Sequence, residues 1–147
     1  MKHDSAVVFV VDDDPDVCQF VERMMQAMKL DVRSFSSAEE FLNSVTEEPH
    51  GCLIADMRML GMSGLELLKE LNARQWQLPT IVVSGYGDIR LAVDSFKAGA
   101  FTFLEKPYRS QELWEAVVQA IAVSQANSDK RNLKREVHTA LSKLTPE

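Results

Sequence analysis

Ala6-Val7-Val8-Phe9-Val10-Val11-Asp12-Asp13-Asp14-Pro15 is the stretch on which the fold turns. Six apolar residues, four of them valine, run without a polar break. That is the pattern of a strand buried on both faces of a parallel sheet. Three aspartates end the run at once. Asp14 then stands at a natural helix N-cap, with Pro15 at the first helical position, where its missing N–H costs nothing. Val17, Val21, Met24 and Met28 follow at helical spacing.

The same beat continues outward. Residues 32–35 read as a short second strand, and Ser36-Ser37-Ala38-Glu39 as a capping box opening a helix that runs to about residue 45. A third strand over 51–55 ends at Asp56, and a helix over 64–74 aligns Leu65, Leu68 and Leu71. Residues 79–83 form a fourth strand, after which Asp88 caps a helix with Ile89, Ala92, Val93 and Phe96 at helical spacing. Residues 100–104 form a fifth strand, and Ser110 caps a fifth helix bearing Leu113, Val117 and Ile121. Five strand–helix pairs in about 120 residues imply an α/β fold, a parallel sheet covered on both faces. Right-handed crossovers and this size select the doubly wound, flavodoxin-like (βα)5 order 2-1-3-4-5.

Composition narrows the function. The 147 residues are 46% hydrophobic and 26% charged, proportions that exclude a disordered or repetitive chain. No apolar run approaches the ~20 residues of a membrane span, and 6–11 is too short for a secretory signal. Cys18 and Cys52 sit in apolar patterns without metal-ligand spacing, so a cytoplasmic protein with two reduced core thiols is expected. The net charge of −6 divides into +2 from residue 125 onward and −8 before it. A body that acidic does not meet nucleic-acid phosphates. A dinucleotide site is excluded as well, since carboxylates rather than a glycine-rich turn follow the first strand.

In a doubly wound sheet the ligand site lies beyond the carboxyl ends of the strands. Here those ends carry Asp12, Asp13 and Asp14, then Asp56, Ser84 and Lys106. Clustered carboxylates repel one another unless a cation neutralises them. A hard divalent ion with oxygen ligands, Mg²⁺, meets that need and keeps room for a phosphate oxygen. Lys106 and Ser84 opposite the ion complete a clamp for a phosphoryl group. Asp56, alone at its strand end, is the candidate nucleophile for an aspartyl phosphate. Met57, Met59 and Met62 do not suit such an ion, and His3, His50 and His138 form no ligand set.

VVDDD over 10–14, D-M-R-M-L-G-M-S-G over 56–64, V-V-S-G over 82–85 and F-L-E-K-P over 103–107 occur in order, each at a strand end. With these motifs, residues 5–124 resemble the receiver domain of a bacterial two-component response regulator. G-Y-G-D over 85–88 and K-A-G-A-F-T-F-L-E-K-P over 97–107 resemble the FixJ-like branch, whose output is a LuxR-type helix-turn-helix. The resemblance implies that Asp56 accepts a phosphoryl group from the phosphohistidine of a sensor histidine kinase. It implies that Asp13, Asp56 and the Arg58 main-chain carbonyl ligate Mg²⁺, with Asp12 holding it through water. Lys106 pairs with the phosphoryl group, and its bond to Pro107 is expected to be cis. Ser84 turns toward the phosphoryl oxygens while Phe103 rotates into the space it leaves. The surface of the fourth helix, fifth strand and fifth helix then shifts toward a homodimer. The chain is a phosphoacceptor rather than an enzyme in this reading.

Two departures accompany the resemblance. Leu60 stands where the family pattern has proline, which predicts a less rigid loop. Arg58 and Tyr86, two residues past Asp56 and Ser84, are large groups expected to screen the phosphate from water. Two other functions remain open to test. One is a receiver-like binding module that signals without phosphorylation. The other is a haloacid-dehalogenase-type phosphatase using Asp12 and Asp14 as its D-x-D pair.

Residues 1–124 are thus expected to form the receiver, and 125–147 a helical linker. Leu133, Val137, Ala140 and Leu144 recur in a 4-3-4 pattern, compatible with an amphipathic or coiled-coil helix. Leu144-Thr145-Pro146 resembles the opening of a LuxR-type DNA-binding domain. The expectation is a chain cut at a domain boundary, or a natural single-domain regulator, with DNA contacted only through the missing output domain.

Overall fold

The computed structural model describes residues 5–85 and 88–144, with side chains through residue 141. Five strands, β1 Val7–Val11, β2 Asp31–Phe35, β3 Gly51–Asp56, β4 Thr80–Ser84 and β5 Thr102–Glu105, form one parallel sheet in the order 2-1-3-4-5. Between and after them run α1 Pro15–Ala27, α2 Ala38–Ser44, α3 Gly64–Ala73, α4 Ile89–Lys97 and α5 Ser110–Leu144. The expected architecture is the observed one.

Alternation along the strands sorts the core into two faces. Val8, Val10, Cys52, Ile54, Ile81 and Val83 pack with Val21, Met25, Leu113 and Val117, under α1 and α5. Phe9, Val11, Leu53 and Ala55 pack on the other face with Phe41, Leu67 and Leu71, under α2 and α3. Each such side chain contributes about 1.5–3 kcal/mol on burial, which is why the valine-rich strands dominate the fold. At the base of the sheet the approach is so close that a Cβ on Gly51 would lie 1.9 Å from the Val7 carbonyl oxygen.

Helix starts follow side-chain chemistry. Asp14 caps α1, accepting the Asp16 N–H at 2.9 Å, with Pro15 behind it. Ser63 and Glu66 close a reciprocal capping box on α3. The box read over 36–39 is not closed: the cap lies one residue later, and the Glu40 carboxylate accepts the Ser36 N–H rather than that of the cap residue. Ser37 is the cap of α2, and Glu40, three residues on, donates its N–H to the hydroxyl at 3.1 Å. The Glu39 carboxylate is engaged elsewhere, by the Met62 N–H at 3.0 Å. Ser110 is likewise the first residue of α5 rather than its cap, because Arg109 N–H donates to Glu112 Oε1 at 2.8 Å.

Two amphipathic readings change in three dimensions. Leu67, with Leu68 and Leu71, is buried in α3, whereas Leu65 is half-buried. In α4 the stripe Ile89, Val93 and Phe96 faces outward, and Ser95 is the buried residue. Helical spacing shows that a stripe exists, not which side of the helix the sheet covers. The helix expected over the tail is the uninterrupted continuation of α5, 35 residues long. Loop 46–50 holds it as it leaves the body: His50 Nδ1 lies 2.8 Å from Ser124 Oγ, Gly51 N–H donates to the same oxygen, and Arg131 pairs with Glu48. Leu133, Val137 and Leu141 on this segment are exposed. The Leu144 side chain, residues 145–147 and His3 lie outside the described residues.

Candidate functional site

Parallel strands end at one edge of the sheet, and the sequence places polar groups there. Asp12 and Asp13 follow β1, Asp56 and Ser84 are the last residues of β3 and β4, and Lys106 follows β5. The structure brings the acidic ones together. Carboxylate oxygens of Asp12, Asp13 and Asp56 all lie within 4.8 Å of one another. Lys106 Nζ is 3.8 Å from Asp56 Oδ1. The Lys106–Pro107 peptide is cis, as expected. Asp14 does not join the group, since its carboxylate caps α1, so the D-x-D pair of a phosphatase is not assembled.

Main-chain donors hold each carboxylate in place. Asp14 N–H donates to Asp12 Oδ1 at 2.9 Å, and the Arg58 backbone N–H favours the ionised Asp56 carboxylate, while the Met57 N–H donates to the Val83 carbonyl at 2.8 Å. Leu60 N–H donates to Asp13 Oδ2 at 3.3 Å, a bond that proline at this position could not make. Leu60 itself is 83% exposed, so its backbone rather than its side chain serves the site. Gly64 is required behind Asp56, because a Cβ there would lie 2.6 Å from the Asp56 carbonyl oxygen.

Electrostatics follow from this crowding. Burial raises the Asp12 carboxyl to about 6, with the charge of Asp56 adding to the effect. Burial also raises Asp56, while Lys106 opposes the shift. The Tyr108 phenol is raised by burial, with the charges of Asp12 and Asp56 adding to the effect. Three clustered carboxylates are an oxygen donor set suited to a hard divalent cation such as Mg²⁺.

Ser84 and Arg58 share one acceptor in this structure. The Ser84 hydroxyl, 1% exposed, donates to Asp88 Oδ2 at 3.3 Å. The Arg58 guanidinium reaches the same oxygen at 2.8 Å. Asp88, read from the sequence as the cap of α4, makes no side-chain bond to its own helix. Phe103 is half-buried and packs with Met57, Leu68 and Val82. Tyr86 lies outside the described residues. Asp88 and Tyr108 are the site neighbours that sequence reasoning missed. The cap motif concealed the first, and the only signal for the second was its place two residues past Lys106.

A family model described as the response regulator receiver domain matches residues 8–118. The chain belongs to the response regulator receiver domain family. The transcriptional regulatory protein TdiR of Thauera aromatica is 40% identical over 141 residues, covering 96% of this chain and 62% of TdiR. FixJ of Azorhizobium caulinodans is 37% identical, covering 97% of this chain and 67% of FixJ. Among solved structures, the response regulator StyR superposes with a TM-score of 0.90 at 36% identity, covering 96% of this chain and 71% of StyR. FixJ-N superposes at 0.76 and 36% identity, covering 80% and 94%. The FixJ-like assignment therefore holds, although the receiver chain spans less than two thirds of TdiR. Phosphorylation-dependent switching is the general function of receiver domains, and they bind Mg²⁺ at an acidic cluster of the kind Asp12, Asp13 and Asp56 form here. Among the described residues no helix is long and apolar enough to cross a membrane.

Proposed function

We propose that this receiver accepts a phosphoryl group on Asp56 from the phosphohistidine of a sensor histidine kinase. The observation that carries the reading is Asp56 itself: its carboxylate stands between Lys106, at 3.8 Å, and the Asp12–Asp13 pair. An Asp56 oxygen attacks phosphorus as the phosphorus–nitrogen bond breaks, and the electron pair leaves on the imidazole, which takes up a proton. The Met57 N–H bond to the Val83 carbonyl fixes the end of β3, and the Arg58 main-chain N–H orients the attacking carboxylate. Lys106 Nζ, already at this oxygen, shifts to a phosphoryl oxygen and stabilises its charge. Asp13, Asp56 and the Arg58 carbonyl would hold Mg²⁺, with Asp12 behind a water; the ion supplies charge neutralisation for the incoming phosphoryl group. The Ser84 hydroxyl then turns to the phosphoryl oxygens, and Phe103 moves into the space it leaves.

The consequence is read out at α4, β5 and α5. Ile89, Val93 and Phe96 present an exposed apolar stripe on α4, and covering it against a second copy is the homodimer expected on phosphorylation. Residues 1–124 act as the receiver and 125–147 as the linker to a DNA-binding output domain, in a cytoplasmic regulator of transcription. The resident activity is that of a phosphoacceptor, not of an enzyme with an external product.

Incubation with acetyl phosphate and Mg²⁺, followed by intact mass measurement, tests the assignment. A labile phosphoryl adduct should form on the wild type and be absent from Asp56→Asn. No adduct on either chain would favour a phosphorylation-independent binding module. An adduct that survives in Asp56→Asn and disappears in Asp12→Asn would favour phosphatase chemistry.

A further inference from the structure

Asp88 has one carboxylate and three claims on it. At the N-cap of α4 an aspartate normally accepts the N–H of the second or third helical residue, here Arg90 or Leu91. It does not: no side-chain cap bond is made. Its Oδ2 instead accepts from Ser84 at 3.3 Å and from Arg58 at 2.8 Å. The Ser84 donor is buried at the end of β4, and the Arg58 donor comes from the loop after Asp56, 30 residues away in sequence. The start of α4 is therefore left without its side-chain acceptor for the sake of two groups that flank Asp56.

We infer that Asp88 is a positioning residue of the phosphoacceptor site, which holds Ser84 and Arg58 before phosphorylation and exchanges them for the amino end of α4 afterwards. The inference rests on Asp56 as the acceptor. A phosphoryl group brings a charge of about −1.5 to −2 and strong acceptor oxygens. It outcompetes a single carboxylate oxygen for both a hydroxyl and a guanidinium. Once both donors leave, Asp88 faces only the unpaired N–H groups of its own helix and the positive end of the helix dipole. Capping then orders the first turn of α4, the turn that carries Ile89. One side chain thus connects a change at β3 to the surface of α4, without requiring the sheet to move.

The two halves of the exchange are separable. Amide hydrogen exchange at Arg90 and Leu91 reports the cap in the unphosphorylated full chain. Arg58→Ala, made across the site from α4, should slow exchange there by about fivefold, the size of a typical cap. Ser84→Ala should slow it in the same direction, and Arg58→Lys, which keeps the cation, should restore much of the wild-type rate. The slowing should vanish in the Arg58→Ala/Asp88→Ala double variant. Unchanged or faster exchange in Arg58→Ala, or slowing that persists in the double variant, would overturn the inference. A second arm adds acetyl phosphate and Mg²⁺ to the wild type. Slowing of the same two amides on adduct formation supports the exchange, and an adduct without slowing refutes it. If the wild type forms no adduct, the phosphoacceptor reading fails, and the first arm alone decides whether Asp88 holds Ser84 and Arg58.

Discussion

Replacing Asp12 with asparagine should stabilise the metal-free chain, although it removes a residue placed at the centre of the site. Asp12 is 4% exposed, and its carboxyl is raised from 3.8 to about 6, chiefly by burial. A folded-state pKa above the unfolded one means that ionisation opposes folding. The cost is absent below about pH 4, grows between about pH 4 and pH 6, and is fully present at neutral pH. A shift of about two units corresponds to about 3 kcal/mol, at about 1.4 kcal/mol per unit. Asparagine keeps an oxygen to accept the Asp14 N–H, so the local bond survives while the charge does not. Urea unfolding in EDTA at pH 4.5, 6 and 7.5 measures the effect. The variant should exceed the wild type by about 1 kcal/mol at the lowest pH and by about 3 kcal/mol, or about 10 °C in melting temperature, at the highest. Mg²⁺ should then close the gap, because it stabilises the wild type through the carboxylates it neutralises. A variant that is less stable than the wild type at pH 7.5, or a difference independent of pH, would refute the reasoning.

Other perturbations separate site from scaffold. Gly64→Ala should cost about 1–3 kcal/mol in urea unfolding, as a small-to-large change against rigid backbone, because its Cβ meets the Asp56 carbonyl at 2.6 Å. Phe41→Ala, which empties a fully buried position and removes edge-on contacts with Phe9 and Phe35, should cost about 3–5 kcal/mol. Ser124→Ala should cost about 1–3 kcal/mol by orphaning the buried Gly51 N–H, as read by chemical denaturation. Leu60→Ala, at a side chain 83% exposed, should change stability by less than about 0.5 kcal/mol and leave adduct formation intact, since only its N–H serves Asp13.

Legibility in the sequence differed between fold and site for physical reasons. Valine-rich runs such as 7–11 and 80–83 pay the entropy of a fully buried strand only in one setting, a sheet covered on both sides, so their reading was nearly unambiguous. Asp12, Asp13, Asp56 and Lys106 were legible as a group because parallel strands must deliver their carboxyl ends to one edge. Asp88 was not. Its local pattern is that of a helix cap, and nothing nearby in the chain reveals that Arg58 and Ser84 compete for its oxygen. Tyr108 escaped for the same reason: the charges of Asp12 and Asp56 reach its phenol only when β5 lies beside β4.

The sequence by itself determined the five-stranded order, the two-sided core and the acidic edge, all consequences of short-range periodicity and hydrophobic burial. Tertiary structure decided which donor each carboxylate takes, which side of α4 is bare, and that α5 runs unbroken from Ser110 to Leu144. Periodicity measures a residue against its own helix or strand. Hydrogen bonds, exposure and charge shifts depend on residues brought close from elsewhere in the chain, and that proximity exists only after folding.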